Sequence, residues 1–226
     1  MTLKKDEAIQ NILADYENLA NLVLNQLDEV KKLISSGILP PDKDLLDELK
    51  KNENKINKLE VKLSEEVINS IVLYQPVASE LRKLIACYRI IISLERIGDL
   101  AISITKLMKK IEYQEAYTSL SGFISKMMDL SVDMARRSIL SFINQDMELA
   151  KWTIKSEPIV DEFNHKMLKK VAERASLVAE DKNILISFIN LKEMAAAIER
   201  IADHAANIAE ASYYSYEGKD IRHKRS

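Results

Sequence analysis

Apolar residues recur at three- and four-residue intervals from the start of the chain. Ile9, Leu13, Tyr16, Ala20, Val23, Leu27, Val30 and Ile34 line one helical face. The segment SSGILPPD ends that helix: Gly37 suits a helix C-terminus, Pro40 and Pro41 cannot continue it, and Asp42 or Asp44 can cap the next. A second helix carries Leu45, Leu49, Ile56, Leu59, Leu63 and Val67 and runs to Gln75-Pro76, where the proline favours extended geometry at Gln75 and itself suits a first helical turn. A third passes through Leu81, Leu84, Ile85, Tyr88, Ile91 and Ile92 to beyond Leu107. The run YTSLSG at 117–122 breaks the pattern, and further helices are expected near 123–143, 146–178 and 182–216. Six helices of about thirty residues, each ~45 Å long, are too amphipathic to stand alone and must be bundled.

The second half repeats the first. A shift of 104 residues, without a gap, lays Glu95, Arg96, Ile97 and Asp99 on Glu199, Arg200, Ile201 and Asp203. The same shift lays Asp42 on Asp146, Glu53 on Glu157 and Ile56 on Val160. One offset across several helices makes the chain two copies of a three-helix unit, 1–117 and 118–226. The fold class is all-α: six long antiparallel helices as two tandem three-helix bundles. Composition agrees, with 47% hydrophobic residues, only four Gly and four Pro, and an abundance of strong helix formers.

Charge and cysteine usage narrow the function. A net charge of −2 and a pI near 6.0 give no general basic surface, so nucleic acid is not expected as a partner. A lone Cys87 cannot form an internal disulfide and reads as a buried small hydrophobe. With neither a secretory signal nor a membrane-length apolar run in view, the expected location is the cytoplasm. No Gly-rich phosphate loop, zinc spacing or nucleophile–base–acid set stands out, so catalysis is not expected.

The repeated LERIGDLAISI (94–104) and AIERIADHAANIAE (197–210) hold the most informative polar residues. Residues four apart stack on one helix face, giving the rows Glu95, Asp99, Ser103 and Glu199, Asp203, Asn207. Helix five adds Glu157, Asp161 and His165, whereas helix two offers only Glu53, Asn57 and Val61. Such oxygen-rich rows can hold a hard or borderline metal ion, more strongly in the second copy than in the first. They equally fit a solvated face salt-bridged through Arg96 and Arg200. Gly98, opposite Ala202 in the repeat, implies a close approach to that face, as tight helix packing would also do. Pro158 is expected to disturb the helix at the Ile154 carbonyl. Glu162-x-x-His165 has the spacing of di-iron bundles but occurs once. Trp152, Met127, Met128, Met134 and Met147 read as packing residues, and the closing IRHKRS as a solvated basic tail.

QPVASELRKL at 75–84, the two acidic motifs and EGKDIRH at 217–223 together resemble the PhoU family of bacterial phosphate-transport regulators, across essentially the whole chain. The resemblance implies a non-catalytic repressor of the phosphate-starvation response that links the ATPase subunit of a phosphate ABC transporter to a membrane sensor histidine kinase. It would reach the membrane only through those partners, and a homodimer is compatible with it. It further implies surface clusters of iron, zinc, manganese or magnesium. Carried onto this sequence, the ligands are Glu157, Asp161, Glu199, Asp203 and Asn207 at the stronger site, and Glu53, Glu95 and Asp99 at the weaker one. Asn57 and Ser103 depart from the family pattern and weaken the first site. Two other readings stay open: an accessory of a sodium- or proton-coupled phosphate carrier, and a carboxylate-bridged metalloenzyme.

Overall fold

The computed structural model describes residues 2–177 and 181–221. Six helices follow one another: α1 (Thr2–Ser36), α2 (Lys43–Tyr74), α3 (Ala78–Met108), α4 (Gln114–Asn144), α5 (Met147–Leu177) and α6 (Lys182–Glu217). The chain is all-helical over the described residues and forms two three-helix units, α1–α3 and α4–α6. Residue 178, at the expected end of the fifth helix, and the tail beyond Ile221 lie outside the described residues.

Most of the expected face of α1 is the buried one: Tyr16, Ala20, Val23, Leu27, Val30 and Ile34 are almost fully enclosed, whereas Ile9 and Leu13 are half-buried and Leu19 joins the core beside them. Helices α3 and α6 are the most apolar of the six and carry long rows of buried residues. Each packs most heavily on the other, with α1 and α2 against α3 and with α4 and α5 against α6. Small residues are buried on both: Ala86 and Ala101 on α3, and Ala195, Ala202, Ala205 and Ala209 on α6. The units also meet through α1 and α4, where Tyr16 and Phe142 stack edge to face at 5.2 Å. Tyr117 Oη donates to the Ile34 carbonyl, and Arg136 pairs with Asp28 at 2.9 Å.

The ends of the helices repeat as well. Asp42 Oδ1 accepts from the backbone N–H groups of Asp44 and Leu45 at 3.0 and 3.1 Å, and Asp146 Oδ1 accepts from Glu148 and Leu149 at 2.9 and 3.1 Å. These two aspartates, related by the 104-residue shift, cap the second helix of each unit in the same way. Gly37 and Gly218 adopt left-handed conformations at the ends of α1 and α6.

Two local expectations are corrected. Gln75 is left-handed rather than extended (φ 44, ψ 53), with its N–H donating to the Ile71 carbonyl at 3.1 Å. That bond closes α2, and α3 starts at Ala78 instead of at Pro76. The YTSLSG run lies inside α4, which begins at Gln114, so the division at 117/118 falls one turn into that helix. Thr118, Ser119 and Ser121 turn their hydroxyls back onto the carbonyls of Gln114, Ala116 and Thr118 at 2.8–3.0 Å. Hydroxyls that would otherwise compete with the helix are thereby absorbed by it. The connection at 109–113 is pinned instead by α6, where Ser187 Oγ accepts from the N–H groups of Glu112 and Tyr113 at 3.2 Å. Helix α5 continues through Pro158.

Asp42→Ala and Asp146→Ala should each lower unfolding stability by about 1 kcal/mol, and their effects should add, since the caps serve different units. Urea denaturation of the two variants and of the double variant reads both values.

Candidate metal centre

Helix α5 packs along α6 and brings three carboxylates together. Glu157 and Asp161 are one turn apart on α5, and Asp203 faces them from α6. One oxygen of each lies within 4.8 Å of the others. Glu157 is only 5% exposed, while Asp161 and Asp203 are half-buried. Among the described residues this is the one such gathering of three acidic, histidine or cysteine side chains. Three carboxylates at this distance repel one another, and the arrangement favours a cation that takes oxygen ligands. On donor type and spacing, the residues present fit a hard or borderline metal ion.

The remaining expected ligands stand further out. Glu199 lies one turn before Asp203, half-buried and outside the gathered set, and Asn207 lies one turn after it and exposed. His165 is exposed and also outside the set. Glu162 pairs with Lys166 at 2.6 Å, which holds its carboxyl below the usual range and separates it from His165 as a chelating pair.

The corresponding site on α2 and α3 has different chemistry. Glu53 is 8% exposed, and Glu95 and Asp99 are half-buried on α3, but the three do not form a set within 4.8 Å. Gln26, itself 1% exposed on α1, donates through Nε2 to Glu53 Oε2 at 2.8 Å and to the Gly98 carbonyl at 3.0 Å. Asn52 Nδ2 donates to Gln26 Oε1 at 2.8 Å and to the Leu22 carbonyl at 3.0 Å. Burial pushes the Glu53 carboxyl up to about 7, against the pull of the Gln26 bond, and Asp99 and Glu95 push the same way as burial. Burial and Asp99 also raise Glu95, while Arg96 opposes them. Arg96 lies at 3.5 Å from Glu95 and 3.9 Å from Asp99 on an exposed side of the helix, so the salt-bridged face is present here as loose pairs. Gly98 marks a close approach by α2: a Cβ there would stand 3.3 Å from Glu53 Oε2 and 3.4 Å from Ile56 Cδ1.

Gln26 and Asn52 escaped the reading of the sequence, although a signal was present. Gln26 falls among the apolar positions of α1, three residues after Val23, and its counterpart at the 104-residue shift is Leu130.

His204, next to Asp203, faces a cleft of about 310 Å³ lined by Arg89, Ser93, Asn207 and Glu210. Burial lowers its pKa, and Arg200 and Arg96 lower it further. Met127, Met128 and Met134 lie in the core, and Trp152 is half-buried under the Arg137 guanidinium at 4.2 Å. No described helix is long and apolar enough to cross a membrane.

Duplicated three-helix units, each setting an acidic row of its third helix beside a buried glutamate of its second, define a class of helical repeat protein with paired acidic sites. The model of the PhoU domain matches residues 16–108 and again 124–212, and the chain belongs to that family. The phosphate-specific transport system accessory protein PhoU homolog of Aquifex aeolicus is 33% identical over 209 residues, covering 91% of this chain and 90% of its own length. The similarly named protein of a Burkholderia species is 27% identical, covering 96% of this chain and 91% of that one. The crystal structure of PhoU from Pseudomonas aeruginosa shares the fold with a TM-score of 0.82 at 23% identity, covering 95% of this chain and 99% of that one.

Cys87 is 1% exposed, and burial pushes its thiol up to about 12. It should therefore stay unmodified by a thiol reagent in the folded protein and react fully in urea, as a colorimetric thiol assay would show.

Proposed function

We propose that this protein is a non-catalytic regulator of phosphate uptake and of the phosphate-starvation response. In this reading it binds the ATPase subunit of a phosphate transporter and a sensor histidine kinase, and passes the state of one to the other. The observation that carries the reading is that both repeats match the PhoU domain, while relatives along almost the full chain are named accessory proteins of the phosphate-specific transport system. Its place is the cytoplasmic side of the membrane, reached through those partners. The described structure supports a binding role: long rigid helices offer extended surface, and α2 exposes Val61, Ile68, Val72 and Leu73.

A metal ion tunes the protein at the α5–α6 site. Glu157, Asp161 and Asp203 would hold it, with Glu199 and Asn207 on the same row of α6 as further oxygen donors. Iron, zinc, manganese and magnesium all suit oxygen ligands of this kind. A cation bound there would relieve the repulsion among the carboxylates and tie α5 to α6. The carboxylate row thereby couples metal availability to the rigidity of one face of the second unit.

Deleting the gene should switch on phosphate-starvation genes in phosphate-rich medium, read with a reporter fusion; unchanged expression would refute the regulatory role. In purified protein, Asp161→Asn with Asp203→Asn should weaken Mn²⁺ binding at least about tenfold by calorimetry, with the helical circular dichroism unchanged.

A further inference from the structure

We propose that the first-repeat site is closed to metal, and that Gln26 is the residue that closes it. The two repeats place a glutamate at the same point, Glu53 on α2 and Glu157 on α5, but surround it differently. Asn52 gives its amide hydrogens to Gln26 Oε1 and to the Leu22 carbonyl. With its oxygen held by Asn52 of α2, Gln26 turns its Nε2 toward the carboxyl one residue further along that helix and toward α3, donating to Glu53 Oε2 and to the Gly98 carbonyl. Asn57, oriented with its amide nitrogen toward Glu53, donates to Oε1 at 3.1 Å and to the Glu53 carbonyl at 3.2 Å. Both carboxyl oxygens of Glu53 therefore meet N–H donors, whose positive ends stand where a cation would have to approach.

Each of these donors is missing from the second repeat. The 104-residue shift places Leu130 at Gln26, Ser156 at Asn52 and Asp161 at Asn57. Ser156 turns its hydroxyl back to the Trp152 carbonyl at 2.9 Å and leaves the acidic row alone. An amide that donates is exchanged for a carboxylate that accepts, and three oxygens converge in the second unit where none of the first unit's sets does. In the first repeat a side-chain amide network from α1 satisfies Glu53 and joins α1, α2 and α3, the structural task that a cation would perform between α5 and α6. The inference uses the proposed metal centre as its contrast but is tested separately from it.

The experiment is Mn²⁺ titration, followed by calorimetry and by manganese spin resonance, in a protein whose second site is removed by Asp161→Asn and Asp203→Asn. That protein should take up no Mn²⁺. Adding Gln26→Met, which keeps the volume and removes the donors, together with Asn57→Asp should create about one Mn²⁺ site per chain, abolished again by Glu53→Gln. Mn²⁺ binding by the protein lacking the second site, lost on Glu53→Gln, would overturn the inference, as would failure of the folded Gln26→Met/Asn57→Asp protein to gain any binding. Should that combination not fold, the reciprocal Leu130→Gln/Asp161→Asn exchange in the otherwise natural chain, with Leu130→Gln alone beside it, reads the same point: Leu130→Gln should weaken Mn²⁺ binding roughly tenfold by itself, and unchanged affinity would count against an amide as the closing group. If the natural chain binds no Mn²⁺ at all, the metal reading of the α5–α6 site fails, while a gain on opening the first site still upholds the role of Gln26.

Discussion

The packing of α3 on α6 is the constraint on which the rest of the molecule depends. Both helices are rich in buried apolar residues, and neither would be stable in water without the other and its flanking pair. Their mutual packing fixes where the charges they carry can go. Glu95, Asp99, Glu199 and Asp203 sit at the seams where α2 and α5 meet the central pair, because those seams are where the central helices leave polar atoms room. The acidic rows are thus a consequence of the packing: a helix buried on most sides keeps its polar residues in one stripe, and the stripe faces the neighbouring helix of the same unit.

Duplication gave the two units the same backbone plan and freed their side chains to diverge. Capping by Asp42 and Asp146 is conserved between the copies down to the pattern of accepted bonds. The buried glutamates are likewise retained, yet their partners are not. Burying a carboxyl carries a desolvation cost, and in the first unit amide donors from Gln26 and Asn57 offset it.

Much of this was legible in the residues. Helical periodicity, the Gly37 and Pro40-Pro41 stop, the Asp42 cap and the 104-residue shift give six helices in two units, because each rests on a local rule that tertiary packing here reinforces. The start of α4 was hidden, since Thr118, Ser119 and Ser121 read as a turn until their hydroxyls are seen to bond backward. Gln75 was misread because a preference set by the following proline gave way to a helix-closing hydrogen bond. At the site, spacing along one helix identified Glu157 with Asp161, and Glu199 with Asp203. It could not tell which pair of oxygens would meet across the seam, because that depends on the axial offset of α5 against α6. Gln26 was missed because its meeting with Glu53 depends on how α1 packs against α2, although its place among apolar positions was a signal.

The central claim is that two sites of common origin now differ, one gathering oxygens for a cation and the other closed by amides. Crystals of the full chain grown with Mn²⁺ and measured at the manganese absorption edge test it most directly. The account predicts an anomalous peak between Glu157, Asp161 and Asp203 and none beside Glu53, with the Gln26 amide still within hydrogen-bonding distance of that carboxyl. A peak beside Glu53 and Asp99, or peaks of equal height at both seams, would contradict it.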